Sequence, residues 1–242
     1  VLRRGCLILC YHHIAKTSMK NKLKRFYVSP QDFARQMEYL YKNKYSVFQL
    51  GELAEILKAK KNIPSKSVIL TFDDGYRSFL NSAKDILKSY GFKATIFIPT
   101  GKIGSVNDWD EGAKDDINIM SWDEIRFLSV HGFSFHSHTV NHVELPSLSD
   151  PDIMDELERS KQTLESALNQ REHFFCYPCS KFNEHLKYLV KEAGYTCACT
   201  SMPGKNDKTT DLFLLKRIEV EKDDTIARFI YKIHYNRFFG KT

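Results

Sequence analysis

Short apolar runs alternate with longer amphipathic stretches along most of this chain. The first run, Leu7-Ile8-Leu9-Cys10-Tyr11, predicts a buried strand that ends at His12-His13. Ser29-Pro30 then opens a helical pattern: Ser29 suits the N-cap, Pro30 the first helical position, and Phe33, Met37 and Leu40 form an apolar stripe. Tyr45 to Phe48 predicts a short strand, and Leu50 to Lys61 a helix with Leu53, Ile56 and Leu57 inward. The strongest strand, Ser67 to Phe72, stops abruptly at Asp73-Asp74-Gly75. A helix from Ser78 to Tyr90 is stopped by Gly91, and a strand from Ala94 to Ile98 is cut by Pro99. Residues 101–118 read as an acidic loop. Ser121 and Glu124 form a capping box for a helix that ends near Gly132. Phe133 to His136 predicts a strand, followed by a long helix from Asp150-Pro151 to about Asn169. The remaining pattern predicts strands His173–Tyr177, Tyr195–Thr200 and Arg217–Val220, with helices Phe182–Ala193 and Asp224–Tyr235.

This alternation implies parallel strands joined by right-handed crossovers. Roughly seven or eight βα units in one chain favour a closed barrel over two sheets. The alternative is an open doubly wound sheet, but no G-x-G-x-x-G turn suggests a dinucleotide. The 242 residues, 42% hydrophobic, suit one domain spanning 1–242. No apolar run approaches the ~18 residues of a membrane span.

The net charge of +6 permits an anionic partner without demanding one. Its densest stretch, Lys16, Lys20, Lys22, Lys24 and Arg25, reads first as a solvated loop and second as a contact for an anionic polymer or membrane surface. No aromatic residues interleave with it in a nucleic-acid pattern. Cys176-x-x-Cys179 and Cys197-x-Cys199 raise a four-cysteine zinc site. Their strand-like placement instead favours reduced, mostly buried thiols, with a disulfide as the remaining possibility. No secretory signal peptide is visible.

In a barrel of this kind, chemistry collects where strands end. Those positions hold His12 and His13, Asp73 and Asp74, His138 and His142, and Tyr177 and Ser180. Two adjacent carboxylates after a buried strand are electrostatically unfavourable unless a cation or proton relieves them, whereas a plain turn would leave them exposed. His138-x-x-x-His142 fits one helix face or a tight loop. Together with Asp74 it makes a His-His-carboxylate set that leaves positions open for water and substrate, as catalytic zinc requires.

Thr71-Phe72-Asp73-Asp74-Gly75-Tyr76 and Ser137-His138-Thr139-Val140-Asn141-His142 resemble the first two signature motifs of the polysaccharide deacetylases, the NodB-homology family (carbohydrate esterase family 4). Leu9-Cys10-Tyr11-His12-His13-Ile14 resembles the opening Tyr-His motif of the subgroup acting on poly-β-1,6-N-acetylglucosamine. Ser29-Pro30 through Tyr45, Phe175-Cys176-Tyr177-Pro178 and Lys216-Arg217-Ile218-Glu219-Val220 also fit that subgroup. The resemblance implies a distorted (β/α)7 barrel and metal-dependent N-deacetylation of an acetylated amino-sugar polymer or glycan. By position, Asp73 is the general base, Asp74, His138 and His142 are the metal ligands, and His12 is the acid. The backbone N–H of Cys179 falls where an oxyanion is held, and Tyr177 beside it where substrate is contacted. Zinc is the default metal, with cobalt or nickel as alternatives. The resemblance suggests the cell envelope or the extracellular space, with the cytoplasm as the alternative.

Two departures stand out. Many family members carry an Arg before the third-motif Pro that orients the base; here Cys176 and Tyr177 occupy those places. Cys179 and Ser180 replace the usual aromatic and Gly, and the last motif's Leu-x-His is replaced by Lys216-Arg217-Ile218, which favours His12 as acid. His13 is its rival for that role. His131, His173, His185 and His234 read as solvated or capping, Trp122 as core packing, and Trp109 as a possible sugar platform. A glycan-binding pseudoenzyme is the main alternative function. An aspartyl phosphatase is a weaker one, because its carboxylates need Asp-x-Asp spacing.

Overall fold

Ten strands and seven helices follow one another in the computed structural model, which describes residues 5–111 and 117–235. The first part contains β1 (Leu7–Tyr11), β2 (His13–Ile14), β3 (Tyr27–Val28), α1 (Pro30–Lys42), β4 (Ser46–Phe48), α2 (Leu50–Lys58) and β5 (Ser67–Phe72). A π turn over Phe79–Ala83 leads into α3 (Lys84–Ser89), followed by β6 (Ala94–Ile98), α4 (Trp122–Ser129), β7 (Phe133–Ser137) and α5 (Asp150–Leu168). The chain continues through β8 (Phe174–Cys176), α6 (Glu184–Glu192), β9 (Cys197–Cys199), β10 (Ile218–Glu219) and α7 (Ile226–Tyr235). Every predicted element is present, most trimmed by a residue or more at an end. The predicted helix over 78–90 begins as the π turn. Of the acidic loop, residues 112–116 lie outside the described residues.

Seven parallel strands run in the order β10-β1-β5-β6-β7-β8-β9, and β4 shares one edge of β5 with β6. β4 pairs with Ser67 to Ile69, while β6 pairs with Thr71 and Phe72. The gap between β9 and β1 is bridged by one short segment. Leu215 pairs with Cys199 of β9, and a few residues later Ile218 and Glu219 pair with Leu9 and Cys10 of β1. The result is a distorted (β/α)7 barrel.

Strand alternation divides the core. Leu7, Leu9 and Tyr11 of β1 face outward with Val68, Leu70 and Phe72 of β5, and pack under α1, α3, α4 and α7. Ile8 faces inward with Ile69, Phe97, Phe174, Cys176, Cys197 and Cys199. The apolar stripe of α2 (Leu50, Leu53, Ala54 and Leu57) packs against this inner cluster. Phe175, Tyr177 and Ala198 face outward under α5 and α6.

The helix starts are locally encoded. The Ser29 hydroxyl accepts the Asp32 N–H at 3.1 Å, and Ser121 and Glu124 form their reciprocal box. Each such cap contributes about 1 kcal/mol. α7 carries a lysine on its apolar face. Lys232 is buried and donates to the Asp224 carboxylate at 2.6 Å and to the Glu219 carbonyl at 2.9 Å, tying α7 to the end of β10. Removing one member of a buried pair leaves the other charge uncompensated. Lys232→Ala is therefore expected to cost about 3–5 kcal/mol, read as a lowered urea midpoint, and Lys232→Met less than Lys232→Ala because it keeps the packing.

Candidate active site

The strand ends that the sequence singles out converge on one cavity of about 480 Å³. Its walls include His12, His13, Asp73, Asp74, His138, His142, Tyr177, Cys179 and Ser180. The basic segment closes one side: Met19, Leu23, Arg25 and Phe26 line the cavity, so part of the expected solvated loop is a wall. Trp109 and Asp110 line it from the acidic loop.

Asp73 and Asp74 turn inward together because the chain bends left-handed after β5. Asp74 has φ +68° and Gly75 φ +69°, and a Cβ at Gly75 would lie 2.4 Å from the Ile98 side chain. Glycine is therefore required at that position. Asp74 Oδ1 lies 3.4 Å from His138 Nε2 and 3.3 Å from His142 Nε2. Bonds of 2.0–2.1 Å to a tetrahedral ion place neighbouring donors about 3.3 Å apart, so these three side chains fit a divalent cation such as zinc. The Nδ1 of His138 meets the Cys176 carbonyl at 2.8 Å, an arrangement that leaves Nε2 as the lone-pair nitrogen. Burial pushes the Asp74 carboxyl up, but the two imidazoles outweigh it and hold Asp74 well below the usual range. Burial pushes His142 down, but Asp74 raises it above 6.5.

His138 and His142 sit on a tight loop, not a helix, with Thr139 at φ +69° and His142 at φ +57°. The sequence gives no direct sign of what holds it. The support is Glu156 of α5, which is buried and accepts the N–H groups of Val140 at 2.8 Å and Asn141 at 3.0 Å. The one available signal is an acidic residue on the apolar stripe Ile153, Leu157, Ser160 and Leu164.

A second unforeseen residue is Arg217. By alternation in the closing segment, Arg217 points inward while Ile218 packs outward. All five of its donors are used. Nη1 and Nη2 meet the two oxygens of Asp73 at 2.7 Å each. The remaining bonds run to Thr71 Oγ1 (3.2 Å), Cys176 Sγ (3.0 Å) and the Thr200 carbonyl (2.9 Å). An arginine thus does meet Asp73, from the segment that leads into β10 and not from the positions before Pro178. Cys176, which stands at one of those positions, accepts one of its bonds. Burial raises the Asp73 carboxyl, but the Arg217 charge and hydrogen bonds prevail and hold it at about 2.

His12 is partly exposed, with its ring 4.5 Å from Phe26. His13 is buried between Tyr27 (4.0 Å) and Tyr76 (3.6 Å), and burial holds its imidazole down at about 3. His13 is therefore a neutral, packed ring, and of the two imidazoles at the end of β1 His12 is the partly exposed one. The Tyr177 ring packs against Phe175 and Phe182, so it meets the cavity from its outer wall. Cys179 is the exposed thiol at the rim, at φ +52°. All six cysteines are free and the other five are buried. Trp109 stacks on His142 with centroids 4.4 Å apart, so one face of its indole is already covered. Of the histidines read as solvated or capping, His173 is instead buried beside β8, while His131 meets the Phe127 carbonyl and His185 pairs with Asp150 on the surface.

The family model for polysaccharide deacetylases matches residues 60–198. YxkH of Bacillus subtilis, provisionally named a polysaccharide deacetylase, is 30% identical over 213 residues, covering 88% of this chain and 70% of YxkH. The poly-β-1,6-N-acetyl-D-glucosamine N-deacetylase of Staphylococcus aureus is 26% identical over 203 residues, covering 78% of this chain and 70% of that enzyme. The deacetylase PplD of Streptococcus pyogenes, solved in complex with acetate, aligns with a TM-score of 0.82 at 26% identity, covering 94% of this chain and 97% of PplD. The chain belongs to the polysaccharide deacetylase family.

Two outcomes follow from the site's charges. Arg217→Met strands the buried Asp73 carboxylate and is expected to cost about 3–5 kcal/mol in urea unfolding at neutral pH. A cation binding at Asp74, His138 and His142 displaces a proton from the raised His142. Zinc affinity measured by competition with a chelator should therefore fall by about tenfold per pH unit on acidification below that imidazole's pKa.

Proposed function

We propose that this polysaccharide deacetylase family member removes N-acetyl groups from an N-acetylglucosamine polymer, releasing acetate. The observation that carries the reading is the spacing of Asp74 to both imidazoles, 3.3–3.4 Å, with Asp73 beside it and His12 on the same cavity. A bound divalent cation, zinc by default with cobalt or nickel as alternatives, supplies Lewis-acid polarisation and lowers the pKa of a water. Asp74, His138 and His142 hold it. Asp73 takes the proton of the attacking water.

A carboxylate held at about 2 is a weak base, so its contribution is position and permanent ionisation, both set by Arg217. His12 gives its proton to the departing amine nitrogen as general acid. The backbone N–H of Cys179 faces the developing oxyanion, where a preoriented donor is worth most. The cavity wall formed by Met19, Leu23 and Phe26 on one side and Trp109 on the other offers apolar surface to sugar rings. The cell envelope or its exterior is where such a polymer would be met. No helix among the described residues is long and apolar enough to cross a membrane.

Acetate release from β-1,6- and β-1,4-linked N-acetylglucosamine oligomers and from peptidoglycan, with metal analysis of the same sample, tests this reading. Release is expected from the N-acetylglucosamine oligomers. Asp74→Ala should lose both the bound metal and the activity, while Asp73→Asn should keep the metal and lose at least about 100-fold in rate. Full acetate release by Asp74→Ala overturns the assignment.

A further inference from the structure

A second set of metal-binding atoms, which the proposed reaction does not use as ligands, lies where His12 and Asp73 of the cavity wall meet the fully buried Cys10 behind them. Cys10 points inward from the end of β1, with Sγ 3.5 Å from Asp73 Oδ2. Cys10, His12 and Asp73 each offer a donor atom, and the three lie within 4.8 Å of one another. The Nδ1 of His12 is buried without a hydrogen-bond partner. Cys176 Sγ is also close to Asp73, at 3.6 Å, but it already accepts a bond from Arg217. Cys10 is not engaged by the guanidinium.

We propose that Cys10, His12 and Asp73 form a second site for a soft divalent cation such as cadmium or excess zinc, and that filling it blocks the reaction. A thiolate, an imidazole and a carboxylate together select zinc and cadmium over magnesium or calcium. Bonds of about 2.0–2.3 Å require the donors to draw in by roughly 1 Å. Asp73 is fixed by Arg217, so the movement falls on His12, which is partly exposed and has its ring against Phe26. Charge argues that the site is the weaker of the two, because the ion must sit beside the Arg217 guanidinium. Cys10 must release its proton to water as the sulfur–metal bond forms; its thiolate and the Asp73 carboxylate then face the doubly charged ion, and with the Arg217 guanidinium on Asp73 the set keeps one net positive charge. The blocking effect rests on the roles proposed above for Asp73 and His12; the binding itself does not.

The test titrates the full chain, stripped of metal, with cadmium, reading bound metal by equilibrium dialysis and the sulfur-to-cadmium charge-transfer band in the ultraviolet. Two equivalents are expected. The first brings no sulfur band, because Asp74, His138 and His142 contain no sulfur, and the second brings it. Cys10→Ala, with Cys10→Ser as the milder change, should keep the first equivalent and lose the second together with the band. The retained first equivalent reports that the variant is folded. Cys179→Ala, which removes the exposed thiol, should keep both. A single equivalent in the unaltered chain, or a band that survives in both Cys10 variants, overturns the site. With zinc, acetate release should fall between one equivalent and a large excess in the unaltered chain, and unchanged release with two equivalents bound overturns the block. Absence of acetate release under all conditions, with the sulfur band present, would sink the deacetylase reading and leave the second site standing.

Discussion

A guanidinium and a carboxylate meet inside this barrel with almost no access to water, and much of the site is arranged around that meeting. Desolvating both ions costs several kcal/mol each unless the geometry is excellent and every donor is used. Arg217 meets the condition: two bonds go to Asp73 and three to groups on or beside β5, β8 and β9. The guanidinium thus spans the interior and links strands that are not neighbours in the sheet. Because the pair is buried, the Asp73 carboxylate has little freedom to rotate or protonate. Around the pair, Cys10, Cys176 and the Phe97 ring fill space with uncharged side chains.

The Asp74, His138 and His142 set depends on a different kind of support. Asp74, Thr139 and His142 all adopt positive φ, each at a cost of order 1–3 kcal/mol. That strain is offset by specific bonds. Glu156 takes two backbone N–H groups of the loop, and Thr139 Oγ1 takes the His142 N–H at 2.9 Å. The helix behind the loop is therefore part of the site's geometry although it never reaches the cavity.

Much of this was legible from the sequence, because strand ends are marked by abrupt changes from apolar to polar. Asp73-Asp74-Gly75 and His138 to His142 stand out for that reason, and the alternation of elements gives the barrel. Arg217 was not legible as a partner of Asp73. It lies far from Asp73 in the chain, and the same contact would ordinarily be sought beside Pro178. Glu156 was hidden within an otherwise regular amphipathic helix. The sequence favours His12 over His13 as the acid from its place after Tyr11, but only packing shows that Tyr27 and Tyr76 enclose the second ring. Helix boundaries drifted where backbone geometry departs from the α form, as at Phe79 to Ala83.

The bridge that completes the ring has a temporal consequence. During synthesis on the ribosome, β1 emerges roughly two hundred residues before its partner, and its outer edge has no permanent neighbour until Ile218 and Glu219 appear. Until then that edge, apolar on both faces, is an open template for pairing with another chain. The residue that then neutralises Asp73 arrives in the same few residues as the strand that covers the edge. Protection from aggregation and assembly of the charged centre are therefore a single late event, and an interrupted chain would gain neither.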